Sequence, residues 1–126
     1  MKSHMEEVKQ LRANVEHHYN CAQSLLVPFA EELHLTKDQA EALGAFFGSG
    51  MMHGSTCGVL SAAFMILGMH GYDKSDASVL LQEFRKKHHS TECADLLTAA
   101  RDQGIPKKQH CDALVFEMTE FLDQTL

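Results

Sequence analysis

Four cysteines are the residues of this sequence with the clearest capacity for chemistry: Cys21, Cys57, Cys93 and Cys111. None of them forms a CxxC pair, which excludes a thioredoxin-type motif and a zinc knuckle. A CxxCH sequence for covalent haem attachment is also absent. The spacing of the four cysteines follows no known ligand code, so the spacing alone does not show whether the sulfurs meet.

Three of the four cysteines lie in the first turn of a predicted helix, and Cys111 fits this position less closely. Cys21 follows Asn20, a good N-cap, and Cys57 follows two hydroxyl residues. For Cys93 the predicted cap is Ser90 or Thr91. The first helical turn offers unpaired N–H groups and the positive end of the helix dipole, which both favour thiolate over thiol. We therefore predict reactive cysteines, and a thiolate-lined pocket if the helix starts converge.

Such a pocket suits two kinds of chemistry. All four cysteines are candidate catalytic residues of a thiol-based oxidoreductase, by thiol/disulfide cycling or electron transfer. The same four are candidate ligands of an iron–sulfur cluster or another thiophilic metal. His53 and His110 each lie near a cysteine and are candidate ligands or bases. A third interpretation is a helical interaction domain with inert cysteines, because free cysteine is often buried as a core residue.

A glycine-rich segment precedes Cys57. A phosphate-binding loop would need a lysine and a hydroxyl residue after its last glycine, and this segment has neither. One interpretation is a turn with close helix packing, because glycine lets backbones approach each other. In the other, Gly48, Gly50 and Gly54 are cofactor-binding positions where the backbone wraps around a group bound beside Cys57.

Apolar residues recur at helical spacing along the whole chain, which predicts an all-α bundle of about six short helices. Residues 55–70 are apolar almost all round, so we predict a central helix that the others cover. Thr36 and Gln39 have the form of a capping box. Pro28 predicts a kink or break near Val27, because proline lacks a backbone donor.

Length and charge narrow the function classes. The chain has 126 residues and a net charge of −6 without a long basic block, which argues against a nucleic-acid or membrane surface. The apolar run 59–69 is about half of a membrane span of roughly 20 residues. Acidic residues near the N-terminus interrupt any secretory signal, so we expect a cytoplasmic protein. Residues 1–126 are predicted to form one domain, with residues 1–5 a tag remnant or disordered.

The segments around the cysteines resemble the C_GCAxxG_C_C family of small redox-active proteins, which is named for its cysteine pattern. The resembling segments are NCAQSLLVPFAEEL, GSGMMHGSTCGVLSAAFMILGM, STECADLL and HCDALVFEMTEFL. The similarity covers the chain from about residue 7, and the order and spacing of all four cysteines match. The central segment departs from the family pattern at Thr56, Gly58 and Ser61, where glycine, alanine and glycine are usual.

The resemblance implies redox activity in a family that is often found in anaerobic bacteria, without naming a substrate. Similar cysteine segments also occur in multi-haem proteins with iron–sulfur-type sites, so cluster binding stays open. The electron donor or acceptor is unidentified, and a homodimer also stays open. We predict that Cys57 is essential to any activity, because its helix is the best-defined wall of the proposed pocket.

Overall fold

The computed structural model describes residues 3–126, which form seven α helices and no β strand. The helices are α1 (Met5–Ala13), α2 (Cys21–Leu26), α3 (Lys37–Gly44), α4 (Gly58–Met69), α5 (Lys74–His88), α6 (Cys93–Asp102) and α7 (Lys107–Thr125). The all-α prediction is confirmed, with seven helices in place of about six. The prediction for residues 1–5 falls partly on Met1 and Lys2, which lie outside the described residues.

Side-chain caps determine where α2, α3 and α5 begin. Before α2, the Asn20 side chain accepts the Gln23 N–H, and the Gln23 side chain accepts the Asn20 N–H. Thr36 and Gln39 make the same reciprocal pair before α3, which confirms the predicted capping box. These bonds satisfy N–H groups that a helix start would otherwise leave unpaired. The cap on α2 also fixes Cys21 as the first residue of its helix.

The predicted break at Pro28 is also confirmed. Helix α2 ends at Leu26, and the chain continues as a 3₁₀ turn over Val27–Phe29 that contains the proline. Proline cannot donate to the preceding turn, so a regular α-helix does not continue through it. The turn keeps Phe29 fully buried in the core.

Helix α4 is the central helix, as predicted, and it begins at Gly58 instead of residue 55. Seven of its twelve residues are buried. Helices α2, α5 and α7 pack against it, and α1 packs against α7. Within residues 3–126, none of the helices combines the length and apolar character that crossing a bilayer would need.

Candidate functional site

All four cysteines line one cavity of about 120 Å³, which we call the thiol cavity. Cys21 and Cys93 are the first residues of α2 and α6, Cys57 immediately precedes α4, and Cys111 lies in the second turn of α7. All four are free thiols. A water molecule needs roughly 10–15 Å³ of such volume, so the cavity has room for several waters or a small organic group.

A backbone pairing holds the starts of α4 and α6 side by side. The Cys57 N–H donates to the Thr91 carbonyl oxygen at 2.8 Å, and the Cys93 N–H donates to the Ser55 carbonyl oxygen at 2.6 Å. Thr56 and Glu92, which lie between these two bonds, form a single antiparallel β-bridge. The pairing therefore fixes two of the cysteines relative to each other through main-chain atoms.

The cap predicted for α6 is wrong. The helix begins at Cys93 with Glu92 as its N-cap residue, so neither Ser90 nor Thr91 caps it. The Ser90 hydroxyl instead accepts the Glu92 N–H and donates to the Asp95 carboxylate. Ser90 thus stabilises the turn before the helix.

Gly58 lets two cysteine-bearing helices approach each other closely. A Cβ atom at this position would lie 2.4 Å from the Phe47 carbonyl oxygen and 2.7 Å from Cys21 Sγ. Both distances are far below van der Waals contact, so a side chain here would displace its neighbours. The sulfur of Cys21 therefore lies against the residue that follows Cys57. Gly58 is also one of the positions where the sequence departs from the family pattern.

Within the described residues, the glycines predicted to bind a cofactor do not line the thiol cavity, whereas the neighbouring Ser49 does. A Cβ on Gly50, which has a φ of +63°, would lie 2.7 Å from Cys93 Cβ. Side chains at Gly48 and Gly54 would similarly press on Asn20 and Ala94. These glycines allow close packing around the cysteine-bearing segments, and cofactor binding by them stays a prediction.

The segment that leads into the cavity wall has a strained backbone. Ser49, Met51 and Met52 all adopt the left-handed conformation, with φ between 54° and 69°. For residues other than glycine this conformation costs about 1 kcal/mol or more each. The sequence carries no signal for it, because serine and methionine do not favour left-handed backbone. The surrounding contacts, including those of Gly50, must therefore hold this turn in place.

Burial raises the pKa of Cys57 to about 12, and negative charge on Cys21 contributes in the same direction. The N–H groups of Val59 and Leu60, at the start of α4, lower this pKa but do not offset the burial. Only 5% of Cys57 is exposed, so its charged form would lose most of its solvation. The helix start acts in the predicted direction and is the weaker effect.

Burial is also the main reason why the pKa values of Cys93 and Cys111 are raised, followed by charge on Cys21. The positive charge of Lys107 lowers both pKa values, and that of Arg12 lowers the pKa of Cys111, without reversing the shifts. The prediction that these positions favour thiolate over thiol is therefore wrong for Cys57, Cys93 and Cys111, because burial outweighs the effect of the helix starts.

Of the two candidate histidines, His110 lines the thiol cavity, whereas His53 is exposed and lies outside the cavity-lining residues of the described chain. Burial lowers the pKa of His110, and the nearby charge of His88 lowers it further. Because an ordinary histidine has a pKa of about 6.5, His110 is neutral at pH 7. It can therefore accept a proton inside the cavity.

The sequence reasoning missed three residues that line the cavity: Arg12, His18 and Lys107. Arg12 lies one helical turn after Val8, on the apolar face of α1, and this spacing could have shown that the arginine is buried. The other two follow no pattern in the sequence, because their position depends on how α1, α2 and α7 pack.

The donor chemistry of four cysteines suits a thiophilic metal. In residues 3–126, however, no three histidine, cysteine, aspartate or glutamate side chains are arranged so that they could hold a metal ion. The described arrangement of the cysteines therefore does not fit a metal site, although the four line one cavity.

Fold and site together define a small helical protein whose four thiols surround one cavity. The chain matches, over residues 19–125, the model of a family described as "Putative redox-active protein (C_GCAxxG_C_C)". The match includes all four cysteines, and the chain belongs to this family, which confirms the resemblance noted in the sequence. No curated protein and no solved structure matches the chain.

Proposed function

We propose that this protein is a thiol–disulfide redox protein, in which two thiols of the cavity are oxidised to a disulfide and reduced again. The observation that carries this proposal is the convergence of four cysteines from four different helices on one cavity. Inert core cysteines would be expected in separate apolar surroundings. Here they share a space with Arg12, Lys107 and His110.

The proposed reaction is exchange with the disulfide of a partner molecule. A protein thiolate attacks one sulfur of that disulfide, its sulfur–sulfur bond breaks, and one partner thiolate leaves and takes up a proton. A second protein thiolate then attacks the mixed disulfide and releases the other half of the partner as a thiol. Two protein thiols have lost two electrons and two protons, and the partner disulfide has gained them.

Cys21 and Cys57 are the proposed pair. The sulfur of Cys21 lies against Gly58, next to Cys57, and negative charge on Cys21 affects the pKa of Cys57 more than charge on Cys93 does. Cys21 is only partly buried and can meet a partner, whereas Cys57 is nearly inaccessible. Cys21 is therefore the attacking cysteine, and Cys57 resolves the mixed disulfide from within the protein.

The electrostatics of the cavity give this order of steps a physical basis. While Cys21 is charged, it raises the pKa of Cys57 and so keeps Cys57 protonated. Once Cys21 is part of a neutral mixed disulfide, this charge is gone and Cys57 loses its proton more readily. His110, which is neutral at pH 7 and lines the same cavity, is the proposed proton acceptor.

Peptide mapping after mild oxidation tests the proposal directly. Trypsin separates the four cysteines into residues 13–37, 38–74, 88–101 and 109–126, so each linked pair has its own mass. We expect the thiol count to fall from four to two when a small disulfide oxidises the protein, with 13–37 linked to 38–74. Cys57→Ser should abolish this link and leave helical circular dichroism intact, whereas Cys111→Ser should keep the link.

Two outcomes contradict different parts of this proposal. If four thiols remain after oxidation, thiol–disulfide cycling is wrong. If two thiols are lost in another pair of peptides, cycling stands and the assignment of Cys21 and Cys57 is wrong. Anaerobically purified protein with broad visible absorption and stoichiometric iron would instead support the metal-binding alternative.

A further inference from the structure

Basic side chains form one wall of the thiol cavity. Arg12 and Lys107 line it, and an adjoining cavity of about 220 Å³ shares both residues and adds Lys108. We call these three residues the basic wall. Within residues 3–126, no aspartate or glutamate lines either cavity, although acidic residues outnumber basic ones 17 to 11. The charged side chains that line the two cavities therefore have the opposite sign to the net charge of the protein.

The fold holds Arg12 in a fixed orientation. Only 9% of the residue is exposed, and its Nε donates to Asp112 Oδ1 at 2.6 Å. Its Nη1 donates to the Tyr19 carbonyl oxygen at 3.1 Å and to the Ser24 hydroxyl at 3.4 Å. These bonds to residues 3–126 use Nε and Nη1, which leaves the Nη2 donors to a ligand.

The Nη2 group is not fully buried, although only 7% of the Arg12 side chain is exposed. In the described part of the chain, no buried side-chain nitrogen or oxygen lacks a hydrogen-bond partner, so an unbonded Nη2 must reach solvent. Asp112 neutralises part of the wall, because it bonds both Arg12 and Lys108. Lys107 has no ion-pair partner among the described residues, so the basic wall keeps a net positive charge.

The basic wall lies close to the sulfur atoms. The charge of Lys107 acts on the pKa of both Cys93 and Cys111, and that of Arg12 acts on Cys111. An anion bound at the wall would therefore place the rest of its molecule beside the thiols. The Nη2 donors of Arg12 and the ammonium of Lys107 suit an anion such as a carboxylate, whose oxygens accept charge-assisted hydrogen bonds.

We propose that the substrate is a small disulfide that carries carboxylates, which bind Arg12 and Lys107 while the sulfur–sulfur bond faces the thiols. This inference rests on the proposed thiol–disulfide function and assigns its substrate class. The two adjoining cavities, of about 120 and 220 Å³, match a small molecule. Each oxidation of the protein breaks the substrate disulfide, releases two carboxylate-bearing thiols and forms one protein disulfide.

Three small disulfides that differ in charge test the substrate class. They are 3,3′-dithiodipropionate, an anion; 2-hydroxyethyl disulfide, which is neutral; and cystamine, a cation. Each rate of protein oxidation at pH 7 and low salt is divided by the rate of the same disulfide with 2-mercaptoethanol, which removes differences in intrinsic reactivity. We expect the anion to react about 10-fold faster than the neutral compound and the cation to react slowest. Added salt should reduce these differences.

Charge reversal at the wall provides the matched comparison. Lys107→Glu should remove most of the preference for the anion, and the change is compatible with folding because an acidic residue suits the start of α7. Lys74→Glu makes the same change at the start of α5, at the opposite end of the central helix from Cys57. This control should leave the preference unchanged.

The outcomes separate the substrate class from the function. If all three disulfides oxidise the protein at equal normalised rates, or if Lys107→Glu behaves like Lys74→Glu, the anionic substrate class is wrong and the thiol–disulfide function stands. If none of the three disulfides removes protein thiols, both the proposed function and the substrate class are wrong.

Discussion

Buried polar groups are arranged differently at the two ends of α4. Before the helix, Cys57 and three other thiols surround a cavity without a disulfide between them. After the helix, His70 Nδ1 bonds to the Ile66 carbonyl at 2.8 Å, and His70 Nε2 lies 3.6 Å from Glu32. Glu32 in turn contacts His4, so the second end is a continuous network of paired groups.

His4 is the centre of this second region, which we call the histidine cluster: His4, Glu32, His70 and Asp123. Only 5% of His4 is exposed, and its two ring nitrogens bond to Glu32 and Asp123. The ring also stacks on Phe29 with centroids 3.8 Å apart. The cluster thereby joins the start of α1 to the end of α7.

The comparison shows how the same degree of burial can serve structure or chemistry. A buried imidazole with a partner on each nitrogen is fixed, because moving it would leave polar groups unpaired. A buried thiol is a weak hydrogen-bonding group, and burial keeps it protonated. The thiols are therefore free to change partners while the rest of the fold stays in place. Four predictions test this contrast.

The largest expected effect concerns the reactivity of Cys57. A thiol with a pKa of about 12 in place of 9.0 carries about a thousandfold less thiolate at pH 8. We therefore expect iodoacetamide to alkylate Cys57 about a thousandfold more slowly in the folded protein than in urea. Mass spectrometry of residues 38–74 over time measures both rates in one sample. Rates within tenfold of each other would show that Cys57 is not protected by burial.

The raised pKa of Cys57 also predicts how the free energy of unfolding changes with pH. Because the folded protein holds this proton more tightly than the unfolded chain, the stabilisation is present below pH 9 and is lost as the pH rises towards 12. The free energy of unfolding should therefore fall more steeply over this range in the wild type than in Cys57→Ala. Parallel curves for the two proteins would contradict the assignment.

Local patterns in the sequence predicted the helices well, because they depend on residues close together in the chain. The capping box at Thr36, the break at Pro28 and the apolar central helix all follow from spacings of a few residues. The convergence of the cysteines depends instead on the pairing of residues 55–57 with 91–93 and on the absence of a side chain at Gly58. Neither contact leaves a periodic signal in the sequence.

The wrong prediction about thiolates has a related cause. The helix dipole and the free N–H groups belong to the helix itself, so the sequence shows them. Desolvation depends on which other elements cover the sulfur, and it is the larger effect for Cys57. Sequence reasoning could therefore locate the reactive groups, and the state of those groups required the packed structure.

The third prediction disrupts the histidine cluster. His4→Ala leaves Glu32 and Asp123 without their shared partner and removes the stack on Phe29. We expect the free energy of unfolding in urea to fall by about 2 kcal/mol, while disulfide formation at the thiol cavity is unchanged. The exposed His53→Ala serves as the control and should change stability by less than about 0.5 kcal/mol.

Two results would contradict the separation of the two ends. If His4→Ala unfolds at the same urea concentration as His53→Ala, the histidine cluster does not stabilise the fold. If His4→Ala alters the rate of disulfide formation, the two ends of α4 are coupled and the contrast between them fails.

The smallest expected effects come from adding one methyl group at each end of α4. Gly58→Ala would place its Cβ 2.4 Å from the Phe47 carbonyl oxygen and 2.7 Å from Cys21 Sγ, whereas a Cβ on Gly68 meets no atom within 4 Å. We expect Gly58→Ala to lower stability by about 1–2 kcal/mol through overpacking and to slow the linking of Cys21 to Cys57. Gly68→Ala should raise stability by about 0.5 kcal/mol, because alanine favours helix more than glycine does.

The two alanine variants make the same change on one helix, so their comparison separates the close contacts of Gly58 with Cys21 and the Phe47 carbonyl from helix propensity. A slower disulfide link in Gly58→Ala at unchanged stability would mean that the gap between sulfurs matters more than packing. A faster or unchanged link, in the peptide mapping of residues 13–37 and 38–74, would mean that Cys21 does not need Gly58 to reach Cys57. In that case the close approach at Gly58 serves the packing of α2 against α4 alone, and the assignment of Cys21 and Cys57 as the disulfide pair stands.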